Sequence, residues 1–203
     1  MSISKLENLS QILVQQRKEM AELFGFETRN KYEVLSTDKE SLLFIAENQK
    51  GVLGFLLRQY IGHWRSFDLE IFDSERKHIA TAKHPFKFIF SELRLQNLLS
   101  NEEIGHTIKQ FAILRKKFSI HLKNGESLVI DSGLFSPWTY EISRNGTKIA
   151  SIKKRWSGGL KEIFTDADNF LIEFDDTSLD AEAKLLIVAV AVLIDLSYFE
   201  RKN

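Results

Sequence analysis

A basic cluster of four residues offers the clearest chemistry in this chain of 203 residues. Lys153, Lys154 and Arg155 supply consecutive cations, and Trp156 follows them directly with an aromatic ring. Ammonium and guanidinium groups bind phosphate oxygens, and an indole ring suits the boundary between water and lipid. The cluster is therefore a candidate for binding lipid headgroups.

The strand that carries this cluster limits how many of its cations reach one ligand. Residues 148–155 follow a hairpin signal and are predicted to form a β-strand, whose successive side chains point to opposite faces. Lys153 and Arg155 would then share one face, and Lys154 would point to the other. An ordinary solvated strand edge is therefore the alternative interpretation. The second basic run, residues 115–117, is expected at a loop tip.

The sequence contains no recognisable catalytic or metal-binding motif. It has no nucleophile elbow, P-loop or glycine-rich dinucleotide turn, and its histidines lack ligand spacing. With no cysteine, the chain can form neither a disulfide nor a thiolate metal site. We therefore expect that the protein is not an enzyme. The histidines are interpreted as ordinary strand or loop residues: His63, His78, His84, His106 and His121.

The elements that must position any site begin with an unbroken apolar run over residues 185–194. A helix that spans a bilayer needs about 20 apolar residues. This run is shorter, and Lys184 and Asp195 close it on both sides. The run therefore belongs inside the protein rather than across a membrane.

Several β-branched residues in this run would also suit a buried strand. The residues before it, 180–185, are strong helix formers, and Thr177 or Ser178 is placed to cap the start of a helix. These flanks favour a helix over residues 179–199. Because its middle is apolar at every angle, the helix must be surrounded by protein on all sides.

The rest of the chain predicts the sheet that surrounds this helix. Short strand patterns alternate with turns, and the Asn-Gly pairs at 124–125 and 145–146 are strong hairpin signals. About twelve strands are predicted, a number that suits a sandwich or a barrel. A barrel closed around the helix would leave no sheet edge and would bury every helix face. The predicted strands are 31–35, 42–47, 65–73, 77–83, 86–90, 92–96, 106–114, 118–122, 127–130, 139–143, 148–155 and 171–174, while 51–62 is either a short helix or a loop.

The first part of the chain is predicted to be an amphipathic helix over residues 3–23, ended by Gly25. Its apolar residues recur mostly at helical spacing, with charged and amide side chains between them. Such a helix either packs on the domain or lies on a membrane surface, although its polar face carries acids as well as bases.

Composition narrows the classes of partner and compartment. The chain has 28 basic and 28 acidic residues, so no overall field attracts nucleic acid or anionic lipid, and any such attraction must be local. The first residues lack the continuous apolar segment of a signal peptide. We expect a cytoplasmic protein with a single domain over residues 1–203, and peripheral attachment to a membrane remains open, as does the oligomeric state.

Several sequence blocks, taken in order, resemble the phospholipid scramblases and their relatives in the Tubby-like and LURP-one-related superfamily. These blocks are residues 11–16, 25–34, 155–158, 164–170, 193–196 and 199–200. The resemblance implies a mainly β protein, a twelve-stranded barrel around a hydrophobic C-terminal helix. It also implies calcium-dependent, ATP-independent movement of phospholipids between leaflets, or binding of phosphoinositide headgroups as in Tubby proteins.

The resemblance further implies an EF-hand-like calcium loop over residues 166–177. Asp166 and Asp168 supply its first and third ligands. The sixth position is Leu171 where such a loop needs glycine, and the twelfth is Thr177 where it needs a carboxylate. Two interpretations stay open: a weak calcium site, or turn hydrogen bonds made by the two aspartates.

The acylated cysteine stretch of scramblases corresponds here to residues 84–90, which carry aromatic residues instead of thiols. Stable anchoring usually takes two membrane signals, so this difference counts against permanent residence in a membrane. Three functions follow in order of preference. The first is a barrel that binds a lipid headgroup or another ligand at a membrane surface. The others are calcium-dependent phospholipid scrambling and a non-catalytic interaction scaffold.

Overall fold

The computed structural model describes residues 3–17, 30–48, 66–85, 91–112, 114–136, 138–154 and 169–199. Within these residues, twelve antiparallel strands form a closed barrel in which each strand pairs with its neighbours in sequence and β12 pairs with β1. The strands are β1 (Gln11–Gln16), β2 (Lys31–Leu35), β3 (Ser41–Asn48), β4 (Phe67–Asp73), β5 (His78–His84), β6 (Glu92–Asn97), β7 (Glu103–Gln110), β8 (Lys117–Leu122), β9 (Ser127–Ser132), β10 (Thr139–Arg144), β11 (Thr147–Lys153) and β12 (Asn169–Phe174). The predicted mainly β barrel is confirmed.

Alternating side chains explain why these segments form strands. In β4, Phe67, Leu69 and Ile71 point into the core. The turn between β10 and β11 uses Asn145 and Gly146 with positive φ values of 51° and 82°, as a two-residue hairpin of this hand requires. Both predicted hairpins are present, but only the β10–β11 turn has two residues; four residues, 123–126, separate β8 from β9.

The centre of the barrel is filled by a single helix, α1 (Ala181–Tyr198). Every residue from Ala183 to Leu196 is buried, and the inward side chains of the strands pack around them. The prediction of an enclosed helix over 179–199 is confirmed. Its predicted cap is wrong, because Asp180 begins the helix and its Oδ1 accepts a hydrogen bond from the Ala183 N–H at 2.7 Å.

The amphipathic helix predicted over residues 3–23 is wrong where the structure describes the chain. Ile3–Leu6 forms one turn of 3-10 helix, and β1 then closes the barrel between β2 and β12. Strand β1 is buried on both faces: Ile12 and Val14 join the main core. Leu13 packs outside with Leu35 and Leu171. A strand here supplies hydrogen bonds to both neighbours, which outweighs the helical spacing of the apolar residues.

Other boundaries differ less. Strand β7 lies earlier than the predicted 106–114, and β11 ends at Lys153. The predicted strand 86–90 and the undecided segment 51–62 lie outside the described residues.

The two ends of the barrel differ in the length of their connections. At the end where α1 begins, here called the Asp180 end, strands are joined through residues 36–40, 74–77, 98–102, 123–126 and 145–146. At the opposite end, here called the Tyr198 end, the connections cover residues 17–30, 49–66, 85–91, 111–116, 133–138 and 154–168. The strands that meet at the Tyr198 end are therefore separated by longer stretches of sequence, and long connections between strands often carry function.

None of the helices within the described ranges combines the length and apolar character needed to cross a bilayer.

Candidate functional site at the Tyr198 end

A buried carboxylate marks the inner wall of the Tyr198 end. Asp195 is 2% exposed. Its Oδ1 forms an ion pair with Lys154 Nζ, and its Oδ2 accepts a hydrogen bond from Tyr32 Oη at 2.8 Å. A charge taken out of water is tolerated only when it is paired and hydrogen-bonded, and both oxygens of Asp195 are. This network ties α1 to β2 and to the end of β11.

The basic cluster predicted from sequence divides between the two faces of the barrel wall. Lys153 lies on the outer face, where its ammonium pairs with Glu173 of β12. Lys154 points inward to Asp195, and its Nζ lies 4.8 Å from the centre of the Phe170 ring. The predicted separation of these two lysines is confirmed. Arg155 and Trp156 lie outside the described residues.

The two aspartates of the candidate calcium loop, Asp166 and Asp168, also lie outside the described residues. The strand that follows them, β12, starts with Asn169 at the Tyr198 end. In the part of the chain that the structure describes, no three histidine or carboxylate side chains gather as metal ligands would.

The second basic run belongs to the same end, in the connection between β7 and β8. Lys116 Nζ lies 4.3 Å from the ring centre of Tyr198 and 4.5 Å from that of Phe199, the residue after α1. Arg115 bonds to Asp131 of β9 at 3.3 Å, and Lys117 begins β8. The expectation of a loop tip holds for Arg115 but misses that Lys116 lies against aromatic rings.

A third lysine, Lys109, completes this group, and no sequence motif pointed to it. Its Nζ lies 5.0 Å from the centre of the Tyr198 ring, so Lys109 and Lys116 contact the same ring. Lys109 has no basic residue next to it in sequence, and only the pairing of β7 with β8 brings it beside the basic run. We call Lys109, Lys116 and Lys154 the lysine cluster.

Lys116 is the electrostatically strained member of the lysine cluster. Burial, followed by the charges of Lys109 and Lys154, lowers the pKa of Lys116 from its ordinary value. Among the described residues, its ammonium makes no hydrogen bond or ion pair and contacts aromatic faces instead. A half-buried cation held beside other cations is a site that an anion would stabilise.

Two tyrosine hydroxyls beside the lysine cluster also lack partners within the described residues. The Oη atoms of Tyr140 and Tyr198 are both buried without a hydrogen bond. Burial, then the neighbouring Tyr198 and Asp195, raises the pKa of Tyr140, so its hydroxyl keeps its proton. Each hydroxyl is therefore a hydrogen-bond donor with spare capacity, and a buried donor left unused costs free energy.

Aromatic rings hold the end of α1 against the barrel wall. Trp138 stacks on Phe199 with ring centres 5.1 Å apart, and Phe118 meets Tyr198 edge to face at 6.4 Å. The connections that carry Lys116 and Trp138 therefore form one packed surface with the helix end. This surface presents cations and aromatic faces, with the two hydroxyl donors buried behind them, a combination that suits phosphate-bearing amphiphiles.

The sequence of this chain matches a known family over nearly its whole length. The model of the Scramblase family matches residues 1–201. The chain therefore belongs to the scramblase family, as the sequence blocks predict.

Individual relatives are phospholipid scramblases. The chain is 31% identical to human phospholipid scramblase 2 over 215 residues, which cover 97% of this chain and 70% of the relative. It is 30% identical to human phospholipid scramblase 1 over 211 residues, 96% of this chain and 64% of that protein. A phospholipid scramblase family protein of Schizosaccharomyces pombe is 23% identical over 94% of this chain and 59% of its own length. The chain thus spans less than two thirds of some of these relatives.

Proposed function

We propose that this scramblase-family protein binds the phosphate of anionic phospholipid headgroups at the Tyr198 end. The observation that carries the proposal is Lys116, a half-buried ammonium beside Lys109 and Lys154 whose described contacts are aromatic rings. A phosphate would supply a negative charge to Lys109 and Lys116, which have no acidic partner among the described residues. Its oxygens would also accept hydrogen bonds from the ammonium groups, and such charge-assisted bonds are the strong ones.

The members of the lysine cluster would have different roles. Lys154 is engaged by Asp195, so its charge holds α1 in place and adds to the local potential. Lys109 and Lys116 have no ion pair within the described residues and would contact the phosphate. The hydroxyls of Tyr140 and Tyr198 are additional donors of the same site.

The sequence-predicted headgroup residues remain part of this proposal. Arg155 and Trp156 directly follow Lys154 in the chain, in the connection that starts at the Tyr198 end. Lys153 would act from the outer face. We propose that this segment adds to the affinity for a membrane surface, while Lys109 and Lys116 select the phosphate.

Vesicle co-sedimentation tests the headgroup site directly. The variant Lys109→Gln/Lys116→Gln removes two positive charges from the site. The matched control, Lys39→Gln/Lys77→Gln, removes two from exposed lysines at the Asp180 end. On vesicles of phosphatidylcholine and phosphatidylserine, the first variant should bind about thirtyfold more weakly, since each of the two lysines contributes roughly 1 kcal/mol near an anionic surface. An equal loss of vesicle binding in both variants would show that binding depends only on net charge, and would contradict a specific site.

Vesicle co-sedimentation also tests residues 153–156, the headgroup segment predicted from sequence. Two separate variants, Lys153→Gln/Arg155→Gln and Trp156→Ala, should each bind the same vesicles more weakly than the parent protein. Wild-type binding by these variants would remove the segment from the proposal and leave the lysine cluster.

A second candidate function rests on the relatives, which are named phospholipid scramblases. It is movement of phospholipid between leaflets, with calcium bound at Asp166 and Asp168. A fluorescent-lipid assay in liposomes, with and without calcium and with Asp166→Asn/Asp168→Asn, tests it. Calcium-dependent scrambling that this variant loses would make it the leading function.

The internal contacts of α1 favour headgroup binding over a mechanism that inserts this helix into the bilayer. Lys184 Nζ donates hydrogen bonds to the carbonyls of Leu6, Glu7 and Leu9 at 3.2, 2.6 and 3.0 Å. Release of α1 would break these bonds and the Asp195 network, and would carry both charges into lipid at several kcal/mol each. If neither lipid binding nor scrambling is observed, the interaction scaffold is the remaining function.

A further inference from the structure

Four large apolar side chains are exposed to solvent at the Tyr198 end. Phe111 is 85% exposed and Phe135 is 97% exposed, with Leu114 and Leu134 exposed beside them in sequence. They belong to two connections, residues 111–116 between β7 and β8 and residues 133–138 between β9 and β10. Exposed phenylalanines concentrated in two loops are unusual on a protein surface and mark a surface that meets an apolar partner.

The two connections rise from one shared base. The Lys116 N–H donates to Ser132 Oγ at 2.8 Å, and the Ser132 N–H donates to the Lys116 carbonyl at 3.0 Å. Leu114 lies two residues before one of these partners, and Leu134 lies two residues after the other. Together, Phe111, Leu114, Leu134 and Phe135 form what we call the apolar tip.

The charges around the apolar tip identify the kind of partner. Neither connection contains an acidic residue, and Arg115, Lys116 and Lys117 follow Leu114 directly. At the Asp180 end, two cations are paired with carboxylates: Lys123 with Glu182, and Arg144 with Asp176. Arg115 pairs with Asp131, but the ammonium of Lys116 has no ion pair among the described residues. An apolar tip beside such a cation complements an anionic bilayer, which offers hydrocarbon below a layer of phosphate.

We propose that the apolar tip inserts into the interfacial layer of an anionic membrane and fixes the orientation of the barrel, with its Tyr198 end facing the lipid. The insertion would bring Lys116, at the base of the tip, to the level of the phosphates. This inference rests on the proposed headgroup binding and adds the surface, the orientation and the depth at which it occurs.

Site-specific labelling tests the orientation, because the chain contains no cysteine. Ser136→Cys places a unique thiol beside Leu134 and Phe135, and both of its apolar neighbours are kept. Ser100→Cys is the matched control, an exposed serine beside the exposed Leu98 and Leu99 at the Asp180 end. Each thiol is labelled with an environment-sensitive nitrobenzoxadiazole group.

With vesicles of phosphatidylcholine and phosphatidylserine, the Ser136 probe should shift to the blue and be quenched by lipids spin-labelled near the headgroup. The Ser100 probe should do neither. Equal quenching of both probes, or quenching of the Ser100 probe alone, would overturn the orientation. An unquenched Ser136 probe on protein that sediments with vesicles would overturn insertion.

A variant that removes the apolar tip tests its contribution to affinity. Phe111→Ser/Leu114→Ser/Leu134→Ser/Phe135→Ser should lower the vesicle partition coefficient at least about tenfold, because burial of apolar area drives interfacial binding. The loss should persist in high salt. The control Leu98→Ser/Leu99→Ser should bind like the parent protein, and unchanged thermal unfolding verifies that these exposed changes leave the fold intact.

This test separates the two proposals. If the tip variant loses binding in high salt while Lys109→Gln/Lys116→Gln binds normally, the tip inserts and the headgroup site is wrong. If the lysine variant loses binding and the tip variant does not, the headgroup site stands and insertion is overturned. A tip variant whose solution mass falls from dimer to monomer, with no effect on vesicle binding, would assign the surface to a second copy of the chain and also overturn the inference.

Discussion

Tyr32 Oη donates a hydrogen bond to Asp195 Oδ2 at 2.8 Å, joining the first part of the barrel to its central helix across 163 positions of sequence. Lys154 contacts the other oxygen of the same carboxylate. Asp195 lies in the last turn of α1, where the helix dipole disfavours a negative charge, so the lysine and the hydroxyl offset both burial and dipole.

Loss of the Asp195 carboxylate should destabilise the protein. Asp195→Asn removes the charge that Lys154 contacts inside the barrel, and breaking a buried ion pair from one side costs about 3–5 kcal/mol. Denaturant unfolding measures the change in free energy of unfolding.

A variant that replaces all three side chains of this network provides the control for this loss. Tyr32→Phe/Lys154→Met/Asp195→Leu should recover most of the lost stability, because apolar groups of similar volume often replace a buried pair without cost. A loss below about 1 kcal/mol in Asp195→Asn would contradict the assigned network.

A charge placed in the middle of α1 should be far more damaging than the same charge on the surface. Val190 is fully buried inside the barrel. Val190→Asp should cost more than about 4 kcal/mol or prevent folding, because the new carboxylate has no partner in the core. Phe135→Asp, at an exposed position, is the matched control and should leave the unfolding midpoint unchanged. Similar midpoints for both variants would show that α1 is not enclosed.

The close approach of β7 to β8 and to α1 predicts a position that accepts only glycine. A Cβ at Gly105 would lie 2.4 Å from the His121 carbonyl oxygen and 2.9 Å from Leu186 Cδ2. Gly105→Ala should therefore destabilise the protein by roughly 1–3 kcal/mol through overpacking between sheet and helix. Gly133→Ala is the control, since its nearest neighbour would be at an ordinary 3.6 Å. Thermal unfolding of both variants tests the prediction, which fails if they unfold together.

Removal of the strained lysine should raise stability while it lowers lipid binding. In the folded state the pKa of Lys116 is held below its ordinary value of 10.5 by burial and by neighbouring cations. Lys116→Met removes this unfavourable charge and keeps a long apolar side chain over Tyr198. The variant should therefore unfold at a higher temperature at neutral pH and bind anionic vesicles more weakly, the usual exchange between stability and function.

The pH dependence of this gain has a defined sign. Between the lowered folded pKa and 10.5, the unfolded state binds more protons at Lys116 than the folded state does, so the parent protein gains stability as pH rises. The advantage of Lys116→Met should be full below the folded pKa and shrink as pH approaches 10.5. Lys77→Met, at an exposed site, corrects for other titrations. An advantage that grows with pH would contradict the account.

The sequence by itself determined the family, the enclosed helix and most of the strands. A run too short for a bilayer, closed by Lys184 and Asp195, must be enclosed by protein, and the strand patterns in the rest of the chain indicate that a sheet encloses it. The Asn-Gly turns then set where strands reverse. These signals come from residues close together in sequence, and they predict the structure correctly because the fold is compatible with each local preference.

Only the tertiary structure decided the role of β1 and the make-up of the candidate site. Residues 11–16 became a strand because closing the barrel supplies hydrogen bonds on both edges, a gain that no local pattern records. Lys109 and Lys116 lie on either side of the connection between β7 and β8. Both contact the ring of Tyr198, which is distant from them in sequence. Barrel closure brings distant residues together, and the charge balance that makes Lys116 a candidate anion site exists only after that closure.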